Sequence, residues 1–226
     1  MILPLFLLFV IICILIIYLQ KKNNGILNRK KEFFTQLKKH FIIKPLTKNE
    51  AIIQFKKKKN LDYVKHFSEF DLMSKTHSYT KDKQAYIDYS IQQILEWNEK
   101  EKEILNQYYI QFLNRISELS LQKMYQLPKQ INIIKSTMKH EGDARGYTFL
   151  NNIVIKELDY SLFVHEMFHI FTRHNPKIAQ QIYETMGFYT ADKLVLPNTN
   201  IKDKIISNPD TPQIVYTQIN YNNEKF

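Results

Sequence analysis

Val164-His165-Glu166-Met167-Phe168-His169-Ile170 is the stretch on which the reading of this chain turns. It sets His-Glu-x-x-His inside an apolar run. In a helix, residues four apart lie one turn apart on the same face, so both imidazoles can reach one metal ion. Glu166 points to the neighbouring edge of that face, where it can take a proton from a metal-held water. Winding residues 162–172 at about 100° per residue gathers Leu162, His165, Glu166 and His169 on one side. Phe163, Val164, Met167, Phe168 and Phe171 fall on the other. The histidines thus have a face outside the broad apolar stripe. The competing reading is a motif met by accident, because a buried histidine is more often a hydrogen-bonded core residue than a ligand.

The flanks suit a helix at this place. Asp159 or Ser161 can cap its start, and Asn175-Pro176 closes it, which predicts a helix over residues 161–173. Upstream, residues 131–135 (Ile-Asn-Ile-Ile-Lys) form a short β-branched run that reads as a strand. Gly142-Asp143-Ala144-Arg145-Gly146 is a turn cluster. Residues 147–150 and 153–155 then flank Asn151-Asn152, a pair suited to a two-residue hairpin turn. A sheet of two or three strands is therefore expected just before the metal helix.

Residues 29–127 read as helical. Phe33, Phe34, Leu37 and Phe41 recur at helical spacing over residues 29–43, with Pro45 ending that helix. Thr47-Lys48-Asn49-Glu50 is a capping box opening a helix through Phe55, and the lysines 56–59 suit its C-terminal dipole. Residues 62–75 predict a short helix anchored by Val64, Phe67 and Met73. Tyr86, Tyr89, Ile91, Ile94, Leu95 and Trp97 give a longer helix an apolar face from about residue 80. After Asn98 an acidic start at Glu99, Glu101 and Glu103 opens a second one, a hairpin or kinked rod with the first. Past the metal helix, residues 190–206 read as loop with a short apolar stretch at Leu194-Val195-Leu196. Residues 214–216 read as a strand, with fraying over 220–225.

Residues 1–19 hold no charged side chain and are long enough to cross a bilayer. No lysine precedes the run and no small-x-small exit follows it, so it reads as an uncleaved single-pass anchor, a signal peptide being the alternative. Residues 21–28 follow as a linker. Lys21, Lys22, Arg29, Lys30 and Lys31 lean the following domain to the cytoplasmic side, and an exported domain follows if the segment acts as a signal. The formal charge of +10 invites a nucleic-acid reading, but the basic residues are nearly all lysine and carry no recognition motif. No nucleic-acid partner is expected. Cys13 is the only cysteine, so no intrachain disulfide or cysteine zinc cluster can form, and a metal site must use His, Asp and Glu.

His165-Glu166-Met167-Phe168-His169 resembles the zincin metallopeptidase motif, and the strand just before it resembles the strand that lines the zincin cleft. More narrowly, residues 131–210 are similar to a group of zincin-like proteins. The similarity runs through Ile134-Lys135-Ser136-Thr137, Glu141-Gly142-Asp143-Ala144-Arg145-Gly146-Tyr147-Thr148, Tyr183, Gly187-Phe188 and Asn208-Pro209-Asp210-Thr211-Pro212. It covers about a third of the chain, and only the metal motif is specific. Phe149 stands where that group has a basic residue. The resemblance implies one Zn²⁺ held by His165 and His169, with Glu166 as general base, and a peptide or protein substrate. The gluzincin pattern has a glutamate on the next helix as third ligand, which Glu184 matches by type; Asp210 is the alternative. Tyr183, Tyr147, Arg145 and His174 are candidates to steady the oxyanion or the substrate, and residues 147–150 can pair with an extended peptide.

The resulting expectation is an α+β fold, mostly helical and zincin-like, with a small β-sheet ahead of the metal helix and an N-terminal membrane helix. Residues 29–226 would form one domain, with the metal-site region in 128–226. The activity expected is zinc-dependent hydrolysis of peptide bonds. A zincin-fold binding or regulatory module without turnover, and a membrane-tethered helical scaffold, are the alternatives.

Overall fold

Seven consecutive residues with Ile at 131, 133 and 134 favour an extended strand that is buried on both faces, and the sheet is assembled around them. The computed structural model describes residues 41–57, 63–79, 82–118, 126–190, 206–210, 217–221 and 224–225. In chain order these form β1 (Ile42–Pro45), α1 (Lys48–Lys56), α2 (Glu69–Thr76), α3 (Lys83–Gln92), β2 (Ile94–Leu95) and α4 (Glu99–Glu118). There follow β3 (Gln130–Ser136), β4 (Gly146–Phe149), β5 (Asn152–Ile155), α5 (Tyr160–His174) and α6 (Pro176–Thr185). Last come β6 (Phe188–Thr190), β7 (Thr217–Tyr221) and β8 (Glu224–Lys225), which make a separate three-stranded sheet. The fold is α+β.

The main sheet is mixed, in the order β1-β3-β5-β4, with β2 also paired to β3. β3 runs parallel to β1 and β5, while β2 and β4 are antiparallel to their neighbours. Alternation along the strands serves two cores. Ile131, Ile133, Ile153 and Ile155 pack with Leu105 and Leu113 of α4 and with Phe163, Met167 and Ile170 of α5. Ile134, Val154, Tyr147 and Phe149 point to the opposite face, against Ala51 and Phe55 of α1. Each such aliphatic side chain taken out of water contributes roughly 1.5–3 kcal/mol, so α5 is held by its apolar side and its histidine side needs no packing partner.

Several local expectations hold. The Thr47–Glu50 capping box opens α1, Glu99 and Glu101 give α4 its acidic first turn, and Asp159 caps α5 while Asn175 closes it. Others are corrected. Residues 42–45 are strand rather than the end of a helix begun at residue 29, because Ile42 and Ile43 gain a parallel partner in β3. The chain breaks at Ser68, whose own capping box with Asp71 starts α2, so residues 62–75 are not one helix. Met73 is exposed and Leu72 takes the buried place. The helix expected past residue 92 gives way to β2, which pairs with Ser136 and Lys135. The sheet has five strands rather than two or three. The hairpin turn is Leu150-Asn151, with Leu150 at φ 48° and Asn152 already in β5, where its side-chain amide donates to the Phe149 carbonyl at 3.1 Å. Residues 220–221 and 224–225 belong to strands instead of a frayed tail.

Among the described residues, no helix is long and apolar enough to cross a membrane. The apolar run 1–19, the linker 21–28, the helical spacing over 29–40, the stretch 194–196 and the strand expected at 214–216 lie outside the described residues.

Candidate metal centre

α5 is built so that its ligand face is fixed before any ligand arrives. Asp159 accepts from the backbone N–H groups of Ser161 (2.7 Å) and Leu162 (3.2 Å), two donors that a helix start leaves unsatisfied. Arg145 clamps the same carboxylate at 2.5 Å and Glu157 at 2.6 Å. The Ser161 hydroxyl and then Arg145 hold the Asp159 carboxyl down to about 2. Arg145 is thus engaged at the helix cap.

One and a half turns on, His165 Nε2 and His169 Nε2 lie 3.0 Å apart. Two nitrogens on a tetrahedral zinc at about 2.0–2.1 Å sit roughly 3.3 Å apart, so the pair is close to ligand spacing; a shared proton would give the same contact. Asp210 Oδ2 stands 3.9 Å from His169 Nε2. Its other oxygen, Oδ1, accepts from the backbone N–H (2.7 Å) and the hydroxyl (2.8 Å) of Thr148 on β4. One oxygen of Asp210 is thus tied to the sheet and the other is turned to His169. Ligand atoms of Glu166, His169 and Asp210 lie within 4.8 Å of one another.

Glu166 is 1% exposed, and its Oε2 is buried with no hydrogen-bond partner. Its carboxyl packs so close to β4 that a Cβ on Gly146 would stand 2.8 Å from Oε1. Only glycine allows that approach. Burial, helped by the negative charge of Asp210, pushes the Glu166 carboxyl up to about 9, and Arg173 opposes the shift. Burial lowers His165 and His169, with Asp210 opposing in both. Neutral imidazoles present lone pairs, and the half-buried Asp210 with the buried Glu166 supplies carboxyl oxygens beside them. The donor set and the orphaned Oε2 therefore fit a divalent metal.

The chain shares no match with any protein-family model, curated protein or solved structure that it was compared with. What the site can do rests on its own geometry.

The structure brings together Glu166, His169 and Asp210, while His165 meets His169 and stands outside that group. Glu184 instead accepts from Gln180 on its own helix at 2.7 Å and stands outside that group. Tyr147 is buried on the far side of the sheet, where its hydroxyl meets His140 Nε2 at 2.9 Å, so strand alternation turns it away from the histidines. His174 meets Asn151 Oδ1 at 2.8 Å. Tyr183 packs edge-on against Phe168 of α5, with ring centroids 6.4 Å apart.

Arg173 is the residue that sequence reasoning missed. It donates to Thr148 Oγ1 and to the Leu150 carbonyl, both at 2.8 Å, and approaches the Asp210 carbonyl at 3.5 Å. It thereby holds the threonine that holds Asp210. The signal was present, since His165, His169 and Arg173 recur every four residues along one face.

Proposed function

We propose that this chain is a zinc-dependent peptidase with a zincin-like domain, in which His165, His169 and Asp210 hold one Zn²⁺ and Glu166 is the general base. The observation that carries the reading is that His169 Nε2 lies 3.0 Å from His165 Nε2 and 3.9 Å from Asp210 Oδ2, beside a buried carboxyl oxygen that has no partner. A bound zinc ion supplies a Lewis acid for the scissile carbonyl and brings a water toward neutral pKa. With a metal's charge opposing the burial that raises Glu166, its Oε2 would accept the proton of the attacking water and pass it to the leaving amine. Arg173, through Thr148, keeps Asp210 in place while the charge on the site changes. The apolar run 1–19 would anchor the domain to a membrane, on the cytoplasmic side by its flanking lysines and arginines.

A second reading has its own support. Glu166 lies within the same 4.8 Å group as His169 and Asp210. Were Glu166 itself a ligand, no base would remain, and the domain would be a zinc-binding module without turnover.

One substitution separates the two. The purified full chain should carry one zinc, lost in His165→Ala. Glu166→Gln should keep the zinc and lower hydrolysis of unfolded casein or short peptides by about 10²–10⁴-fold. Loss of zinc with Glu166→Gln would give the binding module, and a wild-type chain without zinc would end both readings.

A further inference from the structure

Asp210 comes from a segment whose far end is held by a residue 136 positions earlier in the chain. Ser207 donates its backbone N–H to Asp71 Oδ1 at 2.6 Å and its hydroxyl to Asp71 Oδ2 at 2.8 Å. Asp71 lies in the first turn of α2 and is buried. As the third residue of the capping box, it needs only one oxygen for the helix: Oδ2 accepts from the Ser68 N–H at 3.2 Å. Among the described contacts, Oδ1 serves Ser207 alone. A helix cap does not require that second attachment.

The link from Ser207 to Asp210 has little slack. Asn208 Oδ1 accepts the Asp210 N–H at 2.9 Å, a two-residue turn made by the asparagine side chain. Pro209 between them fixes its own φ and is buried. A shift at Ser207 is therefore carried to Asp210, whose Oδ1 is already tied to Thr148. The segment is pinned to α2 at one end and to β4 at the other, and its free oxygen, Oδ2, faces His169.

We infer that Asp71 is a positioning residue for the metal centre: through Ser207 it sets the place from which Asp210 ligates. Asp71 touches no ligand and no reacting atom. The inference rests on Asp210 being the third ligand, as proposed above. Residues that orient a metal ligand from outside typically change metal affinity by about 10–100-fold when removed.

The test is zinc affinity of the full chain, by competition with a chelator, together with the visible spectrum of the cobalt-substituted protein. Asp71→Ala should weaken zinc by about 10–100-fold, and its cobalt spectrum should move toward that of Asp210→Ala. The double variant should bind no more weakly than Asp210→Ala alone, because Asp71 acts only through that carboxylate. Ser207→Ala, which keeps the helix cap, should weaken zinc in the same direction by less. Ser68→Ala loosens the same cap without touching Ser207; it should lower the melting temperature and leave zinc affinity alone. The inference is overturned if Asp71→Ala and Ser207→Ala bind zinc like the wild type. It is equally overturned if the Asp71 loss adds fully to that of Asp210→Ala, or if Ser68→Ala weakens zinc as much as Ser207→Ala. Should Asp71→Ala not fold, the Ser207 and Ser68 pair decides alone. A wild-type affinity in Asp210→Ala would instead remove the third ligand, a failure of the underlying reading seen in a different variant.

Discussion

Two clusters of buried ionisable groups lie on opposite faces of one sheet, and they are finished differently. On the α1 side, Glu141 is saturated: Oε1 accepts from the hydroxyls of Tyr63 (2.6 Å) and Tyr86, and Oε2 pairs with Lys75. The Lys75 ammonium also lies over the rings of Tyr63 and Phe67, at 5.7 and 5.2 Å from their centroids. On the α5 side, Glu166 is as deeply buried, yet its Oε2 has no partner and Asp210 keeps an oxygen turned to the His169 imidazole. Burial raises both glutamates, but Lys75 and the two tyrosines pull Glu141 back, whereas at Glu166 only Arg173 opposes the shift. A buried charge whose contacts are complete is holding the fold together. One with lone pairs left over is a candidate for a functional site.

The largest effect that could break this contrast is on stability at the saturated cluster. Lys75→Ala leaves Glu141 buried without its cation and should cost about 3–5 kcal/mol in urea unfolding, with the folded fraction still taking up one zinc. A loss under about 1 kcal/mol would show the pair to be unimportant to the fold.

Gly146→Ala should invert the ratio of effects. The new Cβ would meet Glu166 Oε1 at 2.8 Å and Ile155 Cγ2 at 3.2 Å, so stability should fall by about 1–3 kcal/mol while hydrolysis falls as far as in Glu166→Gln. Full peptidase activity in a folded Gly146→Ala protein would mean that the position of Glu166 does not matter.

The smallest effect is a pH slope on the α1 side. His140, between Tyr147 and Lys75, is held neutral by burial down to about 3, with Lys75 adding to the shift. Below about pH 6.5 the unfolded chain protonates this histidine and the folded one does not, so stability falls as pH drops toward 3. The slope from this group can reach about 1.4 kcal/mol per pH unit. Denaturant midpoints of wild type and His140→Phe across pH 4–7 should converge at the acidic end if His140 is the source. Parallel curves would remove it from the account.

How much of this was legible in the chain depended on whether the cause was local. The α5 helix announces itself through its period, its Asp159 cap and the Asn175-Pro176 stop, all within one window. β3 and the β4–β5 hairpin are visible through β-branched runs and turn residues, though the turn falls one residue earlier than Asn151-Asn152 suggests. β1 and β2 were not legible, because four residues ending in proline and a pair of residues become strands only by lying beside β3. Nor was the approach of Asp210 to His169: it depends on contacts of Asp210 to Thr148 and of Ser207 to Asp71, which are far away in sequence. Ser68-Glu69-Phe70-Asp71 was readable as a cap, but nothing in those four letters shows that one oxygen of the aspartate holds Ser207.

β4 ends the main sheet, and the outward-facing N–H of Thr148 is covered by the Asp210 carboxylate. A bare amide on an apolar border strand is a template onto which a second chain can add. The side chain proposed as third ligand therefore also shields the sheet border, and Asp210→Ala protein should self-associate more readily than wild type at equal concentration.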